Sequence, residues 1–278
     1  MAPPSSHRRR RRRLRRFGVT LTVLAIVAVG AVVVWHRAGP GATGCTVTAG
    51  TDHYELDTEQ AANAATVAAT ADRLGLPHHA VTVALAAALQ ESKLRNLPYG
   101  DRDSLGLFQQ RPSQGWGTPA QLMDPAYASG AFLQGLEKVR GWETMSLADA
   151  AQSVQRSASA DAYAGWEDQA RALARALTGE VPAALTCRFD KPVSTATAEH
   201  LRNRMQVEFG SALHNDASRW TVATWLVAHS YTSGVTAVTY DGQTWTYASG
   251  AWKHGAGVDG ASPDRVAVRL GDATTLQV

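Results

Sequence analysis

A glutamate at the end of an apolar helix is the residue of this 278-residue chain best suited to acid–base chemistry. The segment from Val81 to Leu89 contains only Val, Leu and Ala apart from Thr82, which is typical of a helix buried on most sides. Glu91 follows in the expected last turn. Burial raises the pKa of a carboxyl group, and the partial negative charge of a helix C-terminus acts in the same direction. We therefore predict that Glu91 keeps a proton near neutral pH and acts as a general acid.

A polar loop and a short glycine-containing segment follow this helix. Asn96–Ser104 is rich in turn residues, and 15 positions separate Glu91 from the segment Gly106-Leu107-Phe108-Gln109. Together with Glu91-Ser92, that segment resembles the Glu-Ser and Gly-Leu-Met-Gln signatures of the lysozyme-like soluble lytic transglycosylases. The resemblance covers roughly residues 58–177, somewhat under half of the chain. Trp220–Val227, Gly234–Tyr240 and Trp245–Trp252 resemble a small C-terminal domain that occurs beside wall-degrading modules in actinobacterial-type membrane-anchored cell-wall proteins.

The resemblance implies a fold and a reaction. The fold would be a mainly α lysozyme-like domain, and the reaction cleavage of the β-1,4 bond between N-acetylmuramic acid and N-acetylglucosamine in peptidoglycan. Glu91 would protonate the glycosidic oxygen and then act as a base. In the transglycosylase version it takes a proton from the sugar 6-hydroxyl and leaves an anhydro product. A lysozyme version needs a water held by a second carboxylate, for which Asp101 and Asp103 are the candidates.

Side chains beyond Glu91 are the predicted contacts to the sugar chain. Amide groups suit sugar hydroxyl and acetamido groups, and Trp116, which stands between two glycines, offers a flat apolar face. Residues 151–157 depart from the family, which carries Ala-Tyr-Asn at that place. The predicted substrate-binding residues are Ser104, Phe108, Gln109, Gln110, Trp116 and Gln155.

The N-terminal residues predict a membrane anchor. Arg8–Arg13, Arg15 and Arg16 precede the uncharged apolar run Phe17–Trp35, which at about 1.5 Å per residue just spans a hydrocarbon core of roughly 30 Å. Positively charged flanks stay in the cytoplasm, so we expect a single-pass protein in the cell membrane whose bulk is extracytoplasmic. A cleaved signal peptide is the alternative, and it would export the same residues. Because the excess positive charge is concentrated in this block, no nucleic-acid partner is expected.

Composition divides the rest of the chain into two predicted domains. Cys45 and Cys187 bracket the first of them, which predicts an extracellular disulfide, although two unrelated buried thiols are the alternative. The cysteines and the scattered histidines lack metal-ligand spacing, so neither a metal nor another cofactor is expected. The predicted segments are a cytoplasmic tail (1–16), a transmembrane helix (17–36), a stalk (37–57), the transglycosylase domain (58–180), a linker (181–196) and a small α+β accessory domain (197–278).

The preferred hypothesis is therefore a membrane-anchored lytic transglycosylase or muramidase. Its partners would be peptidoglycan glycan strands, the membrane and other wall enzymes. One alternative is a noncatalytic, membrane-tethered module that binds glycan strands and organises wall enzymes. A second is an interaction protein whose C-terminal domain is the functional part and whose first domain is a spacer.

Overall fold

The computed structural model describes residues 43–155, 162–190, 194–215, 218–255, 257–259, 261–262 and 264–278. Residues 43–278 belong to one compact unit. The predicted cytoplasmic tail, the predicted transmembrane helix and the stalk as far as residue 42 lie outside the described residues. Among the residues that are described, no helix is long and apolar enough to cross a membrane.

The fold is α+β, so the prediction of a mainly α protein with strands only in its C-terminal part is wrong. The described ranges contain two antiparallel sheets with the strand orders β2-β1-β3 and β6-β5-β4-β7-β8. The strands are β1 (Gly44–Ala49), β2 (Asp52–Leu56), β3 (Leu185–Arg188), β4 (Val235–Tyr240), β5 (Gln243–Thr246), β6 (Ala251–His254), β7 (Ala267–Leu270) and β8 (Thr275–Gln277).

The first sheet lies where the sequence predicted a stalk and a linker. β1 and β2 form a hairpin, and β3 pairs with β1 from almost the other end of the helical region. The pattern of Gly, Thr and Asp around β1 and β2 is typical of a loop, and β3 is only four residues long. β3 is a strand because it pairs with the distant β1, which a local composition pattern does not reveal.

The helices account for most of the remaining described residues. Asp57 and Gln60 form a capping box at the start of α1, in which each side chain accepts a hydrogen bond from the other's backbone N–H. The hydroxyl of Ser146 caps α5, since it accepts a hydrogen bond from the backbone N–H of Asp149. The helices are α1 (Thr58–Arg73), α2 (His78–Ser92), α3 (Pro119–Leu122), α4 (Pro125–Glu137), α5 (Leu147–Gln155), α6 (Glu167–Leu177), α7 (Ala198–Phe209), α8 (Ala212–Asn215) and α9 (Arg219–Ser233).

One apolar core runs through both predicted domains. α2 is buried over nearly its whole length and packs against α5 and α6, while α1 packs against α4 on one side and α9 on another. α9 is buried in turn between α1 and the second sheet. The boundary at residues 181–196 stays a prediction, but the two sides of it share a continuous set of buried side chains.

The predicted disulfide between Cys45 and Cys187 is confirmed. The two residues are paired across β1 and β3, and both are buried. The bond closes a loop of 142 positions, so it fastens the hairpin to the end of the helical region. Restricting a loop of that length in the unfolded chain contributes about 5 kcal/mol to stability in the chain-entropy model.

Candidate active site

Glu91 lies in the last turn of α2, where the helix stops because Lys93 adopts a left-handed conformation with a φ of 58°. The hydroxyl of Tyr163 donates a hydrogen bond of 2.8 Å to Oε1 of Glu91. Burial raises the pKa of Glu91, while the Tyr163 hydrogen bond and the charge of Lys93 oppose that rise. The direction agrees with the expectation from the sequence, because burial favours the protonated form of the carboxyl group.

Aromatic residues just before α6 hold the end of α2 in place. The indole Nε1 of Trp166 donates a hydrogen bond of 2.8 Å to Oε1 of Gln90. The ammonium group of Lys93 lies 4.1 Å from the centroid of the same indole ring, a cation–π contact. Burial lowers the pKa of Lys93, and the nearby charge of Glu91 partly offsets this effect. Glu91 is therefore fixed by its own helix and by Tyr163 from a segment far along the chain.

The Gly106–Gln109 segment is anchored directly to the residue after Glu91. The hydroxyl of Ser92 lies 2.7 Å from the carbonyl oxygen of Leu107, to which it donates a hydrogen bond. Gly106 has a φ of +76°, and a Cβ at this position would lie 2.1 Å from the carbonyl oxygen of Leu122. Only glycine fits both the left-handed backbone and this close approach. The two motifs that suggested the family therefore meet at one place in the fold.

Three of the predicted substrate-binding residues, Phe108, Gln109 and Gln110, contact other parts of the protein. Phe108 is buried and stacks on Phe132 with their ring centroids 4.7 Å apart. Gln110 is also buried. The side-chain amide of Gln109 donates to the carbonyl oxygens of Tyr99 and Gly106, both at 3.2 Å. Phe108 therefore attaches the segment to α4 and Gln109 stabilises the loop, while contact of these three side chains with a substrate stays a prediction.

Two other predicted residues, Trp116 and Gln155, line one open cavity of about 880 Å³ between α4, α5 and the loop after Pro112. The amide of Gln155 donates a hydrogen bond of 2.9 Å to the carbonyl oxygen of Phe108, which joins the cavity wall to the Gly106–Gln109 segment. The hydroxyl of Tyr127 donates to the carbonyl oxygen of Trp116 at 3.3 Å. Volumes of this order are usual for sites that hold a ligand of several rings.

The remaining polar candidates lie on the loop between α2 and the Gly106–Gln109 segment. Ser104 is buried within a turn in which its backbone N–H donates to the carbonyl oxygen of Asp101. The side chain of Asp101 is 91% exposed. Asp103 accepts hydrogen bonds from Nε of Arg111 at 2.8 Å and from the backbone N–H and hydroxyl of Ser113 at 2.8 and 3.0 Å. These bonds hold the pKa of Asp103 well below its usual range.

Several residues that touch this site were not predicted from the sequence. Tyr163 and Trp166 contact the end of α2 from more than 70 positions away, and Tyr127 supports the cavity wall. Tyr163 is the one aromatic residue in the run of small and polar residues 157–165, which is a weak signal for a special role. Nothing in the local pattern indicates that its hydroxyl meets Glu91.

The identity of the site rests on this geometry. In the part of the chain that the structure describes, no group of three or more His, Cys, Asp or Glu residues is arranged to hold a metal ion, and the expected absence of a metal stays a prediction. No protein-family model matches the sequence, and no curated protein matches it either. The chemistry must therefore be argued from Glu91 and the residues around it.

Proposed function

We propose that this protein cleaves the β-1,4 bond between N-acetylmuramic acid and N-acetylglucosamine in peptidoglycan, with Glu91 as a single acid and base. The observation that carries the proposal is the environment of Glu91. Its carboxyl group is half-buried, has a raised pKa, and lies beside a loop that is fixed to the same helix end by Ser92. That combination suits a proton donor next to a bound polymer.

The two halves of the reaction place opposite demands on Glu91. It must first be protonated, so that it can donate to the leaving glycosidic oxygen, and burial favours this form. It must then be a carboxylate that accepts a proton, and the hydrogen bond from Tyr163 favours that form. A positively charged sugar ring develops between the two steps, and the ionised Glu91 also stabilises it electrostatically.

The surroundings favour the transglycosylase version of this reaction. A hydrolase of the lysozyme type uses a second carboxylate, but both oxygens of Asp103 are engaged by Arg111 and Ser113 within its own loop. Asp101 extends into solvent. With no prepared second carboxylate on this loop, the 6-hydroxyl of the sugar is the nucleophile that Glu91 can activate, and the product is a 1,6-anhydro sugar.

The cavity that Trp116 and Gln155 line is the proposed groove for the glycan strand. Its wall combines the aromatic face of Trp116 with amide groups, a mixture that suits sugar rings with their apolar faces and polar edges. The hydrogen bond from Gln155 to the Phe108 carbonyl attaches the cavity wall to the Gly106–Gln109 segment, which Ser92 in turn attaches to the helix end that carries Glu91. The proposed path of the glycan runs from this cavity along that segment to Glu91.

We also propose that the protein acts outside the cytoplasm while anchored by its N-terminal segment. The disulfide Cys45–Cys187 supports this location, since such bonds persist in oxidising compartments. Because β1 begins at Gly44, the stretch that separates the predicted membrane helix from the folded unit is shorter than the predicted stalk. At full extension that stretch reaches roughly 25 Å, so cleavage should be confined to wall close to the membrane.

The variant Glu91→Gln tests the proposal, because the amide keeps the shape of the side chain and removes its proton chemistry. We expect release of muropeptides from purified sacculi by the full chain to fall about 1000-fold, within the range usual for loss of an acid–base group. Glu137→Gln, which changes an exposed glutamate on α4, is the matched control and should retain full activity.

Mass spectrometry of the released fragments separates the two versions of the reaction. Anhydro-muropeptides indicate transglycosylation, and fragments with reducing ends indicate hydrolysis. If Glu91→Gln releases fragments as fast as the unmodified chain, Glu91 is not the catalytic group. If the unmodified chain binds sacculi without releasing any fragment, the protein is a noncatalytic glycan-binding module.

A further inference from the structure

A second cavity, of about 530 Å³, lies between α7, the start of α9 and the last two strands. Arg202 of α7, Arg219 at the start of α9 and Arg265 just before β7 all line it. None of the residues that line it also lines the cavity of Trp116 and Gln155. We call it the arginine cavity, and nothing in the proposed cleavage reaction uses it.

Positive charges outnumber acidic groups in the described lining of the arginine cavity. No aspartate or glutamate side chain is among the described residues that line it, and Val278, the last residue of the sequence, contributes one terminal carboxylate against three guanidinium groups. Within the described ranges, none of Arg202, Arg219 and Arg265 forms an ion pair with a carboxylate, whereas most other arginines there do. Three positively charged groups around one cavity repel each other, and an anion between them would relieve that repulsion.

Arg219 is also held in position by the backbone. One of its guanidinium nitrogens, Nη1, donates a hydrogen bond of 3.1 Å to the carbonyl oxygen of Leu213. The hydroxyl of Ser218 donates to the carbonyl oxygen of Thr178 and does not cap α9. The partial positive charge of this helix end therefore adds to that of the arginines.

The other residues that line the arginine cavity indicate the chemistry of the ligand beyond its anionic group. Asn203 and Gln206 contribute amide groups, which can donate to and accept from hydroxyl groups, and Met205 and Leu213 contribute apolar surface. The volume exceeds what a bare inorganic anion fills and falls in the range of small-molecule sites. Guanidinium groups bind phosphate oxygens with paired, charge-assisted hydrogen bonds.

We propose that the arginine cavity binds a phosphate group carried on a small hydroxylated unit, of the polyol phosphate class. The guanidinium groups of Arg202, Arg219 and Arg265 hold the phosphate, and the amides of Asn203 and Gln206 hold the hydroxyl groups. Such a unit occurs free in solution, along a polymer or as a lipid headgroup, and all three present the same chemistry to the cavity. The site would attach the protein to a phosphorylated component independently of Glu91.

Isothermal titration calorimetry of the full chain with glycerol 3-phosphate tests this proposal. We expect saturable binding that glycerol does not show and that inorganic phosphate shows more weakly. The double variant Arg202→Gln/Arg265→Gln should weaken binding at least about 30-fold, since each arginine loses charge-assisted hydrogen bonds. Arg140→Gln removes one exposed charge away from the cavity and should change the dissociation constant less than about twofold, as expected for a screened distant charge.

A sedimentation assay with vesicles of phosphatidylglycerol or phosphatidylcholine shows whether the phosphate belongs to a lipid headgroup or to a soluble or polymeric ester. A loss of phosphatidylglycerol binding in the double variant assigns the site to a lipid headgroup, and unchanged vesicle binding assigns it to a soluble or polymeric ester. The proposal is overturned if glycerol 3-phosphate does not bind, or if Arg140→Gln weakens it as much as the double variant does. Equal affinity for inorganic phosphate overturns the part played by Asn203 and Gln206. Activity on sacculi is measured in parallel, so failure here is distinguishable from failure at Glu91.

Discussion

Two glutamates of this protein have pKa values that burial raises, but their surroundings differ. Glu208, near the end of α7, is 4% exposed and accepts hydrogen bonds from Nε1 of Trp225 at 2.6 Å and from Nε of Arg204 at 3.3 Å. Glu91 is half-buried, and among the described residues only Tyr163 donates to its carboxyl group. One carboxyl has fixed donors on both oxygens, while the other has an oxygen available for a ligand.

The difference shows that a raised pKa by itself does not identify an active site. Glu208 belongs to a buried network in which His229 lies 2.9 Å from the carbonyl oxygen of Trp225 and has a pKa well below its usual value because of burial. This network joins α7 to α9 and reaches α1 through Thr66. Its polar groups are satisfied by one another, as buried polar groups must be. Glu91, in contrast, is partly exposed.

The largest effect is expected from a change in the loop beside Glu91. Gly106→Ala should lower the free energy of unfolding by about 4 kcal/mol, because a left-handed alanine is strained and its Cβ overlaps the backbone of Leu122. Gly141→Ala is the control, since its φ is also +76° but a Cβ there meets nothing within 4 Å. Urea denaturation should give a loss of about 1 kcal/mol for this control. Equal losses would mean that the close approach of Gly106 does not matter.

A slightly smaller effect is expected at the buried glutamate. Glu208→Ala should lower the free energy of unfolding by about 3 kcal/mol, because it opens a cavity and leaves the buried indole N–H of Trp225 without its acceptor. Activity per folded molecule should be unchanged. Glu199→Ala, on the exposed face of the same helix, should cost only a few tenths of a kcal/mol. A loss of activity in the folded Glu208→Ala variant would contradict the purely structural role assigned to Glu208.

Tyr163→Phe sharpens the assignment of Glu91 without unfolding the protein. The hydroxyl of Tyr163 lowers the pKa of Glu91, so its removal should raise that pKa further. The acid form then persists to higher pH, and the alkaline limb of the pH–rate profile should move to higher pH. The same limb should stay in place for Tyr127→Phe, whose hydroxyl contacts the Trp116 backbone. A profile that does not move in Tyr163→Phe would separate this hydrogen bond from catalysis.

The smallest effects are expected in the pH dependence of stability. The pKa of Glu91 is raised above 4.5, so its stabilising contribution is complete below that value and is lost as the pH rises through the folded-state pKa. The pKa of Asp103 is lowered below 3.8, so its contribution is present above that value and is lost as the pH falls. Relative to the unmodified chain, Glu91→Gln should therefore gain stability with rising pH and Asp103→Asn should lose it. Thermal melts at several pH values between about 3 and 8 test the opposite signs; equal signs would contradict these shifts.

Much of the helical structure could be predicted because its signals are local. The apolar run of Val81–Leu89 is buried as expected. The complete first sheet could not be predicted, because β3 begins 136 positions after the last residue of β1, with which it pairs. Short strands have weak local preferences, and their pairing is decided by what packs around them.

The sequence by itself determined that a glutamate ends a buried helix and that a glycine-containing segment follows it 15 positions later. Burial and helix periodicity are properties of neighbouring residues, so the raised pKa of Glu91 could be expected from them. Only the tertiary structure decided that Tyr163 donates to Glu91, that Asp103 is occupied by Arg111, and that three arginines surround one cavity. Those contacts join residues far apart in the chain, and their free energies become available only when the whole core packs.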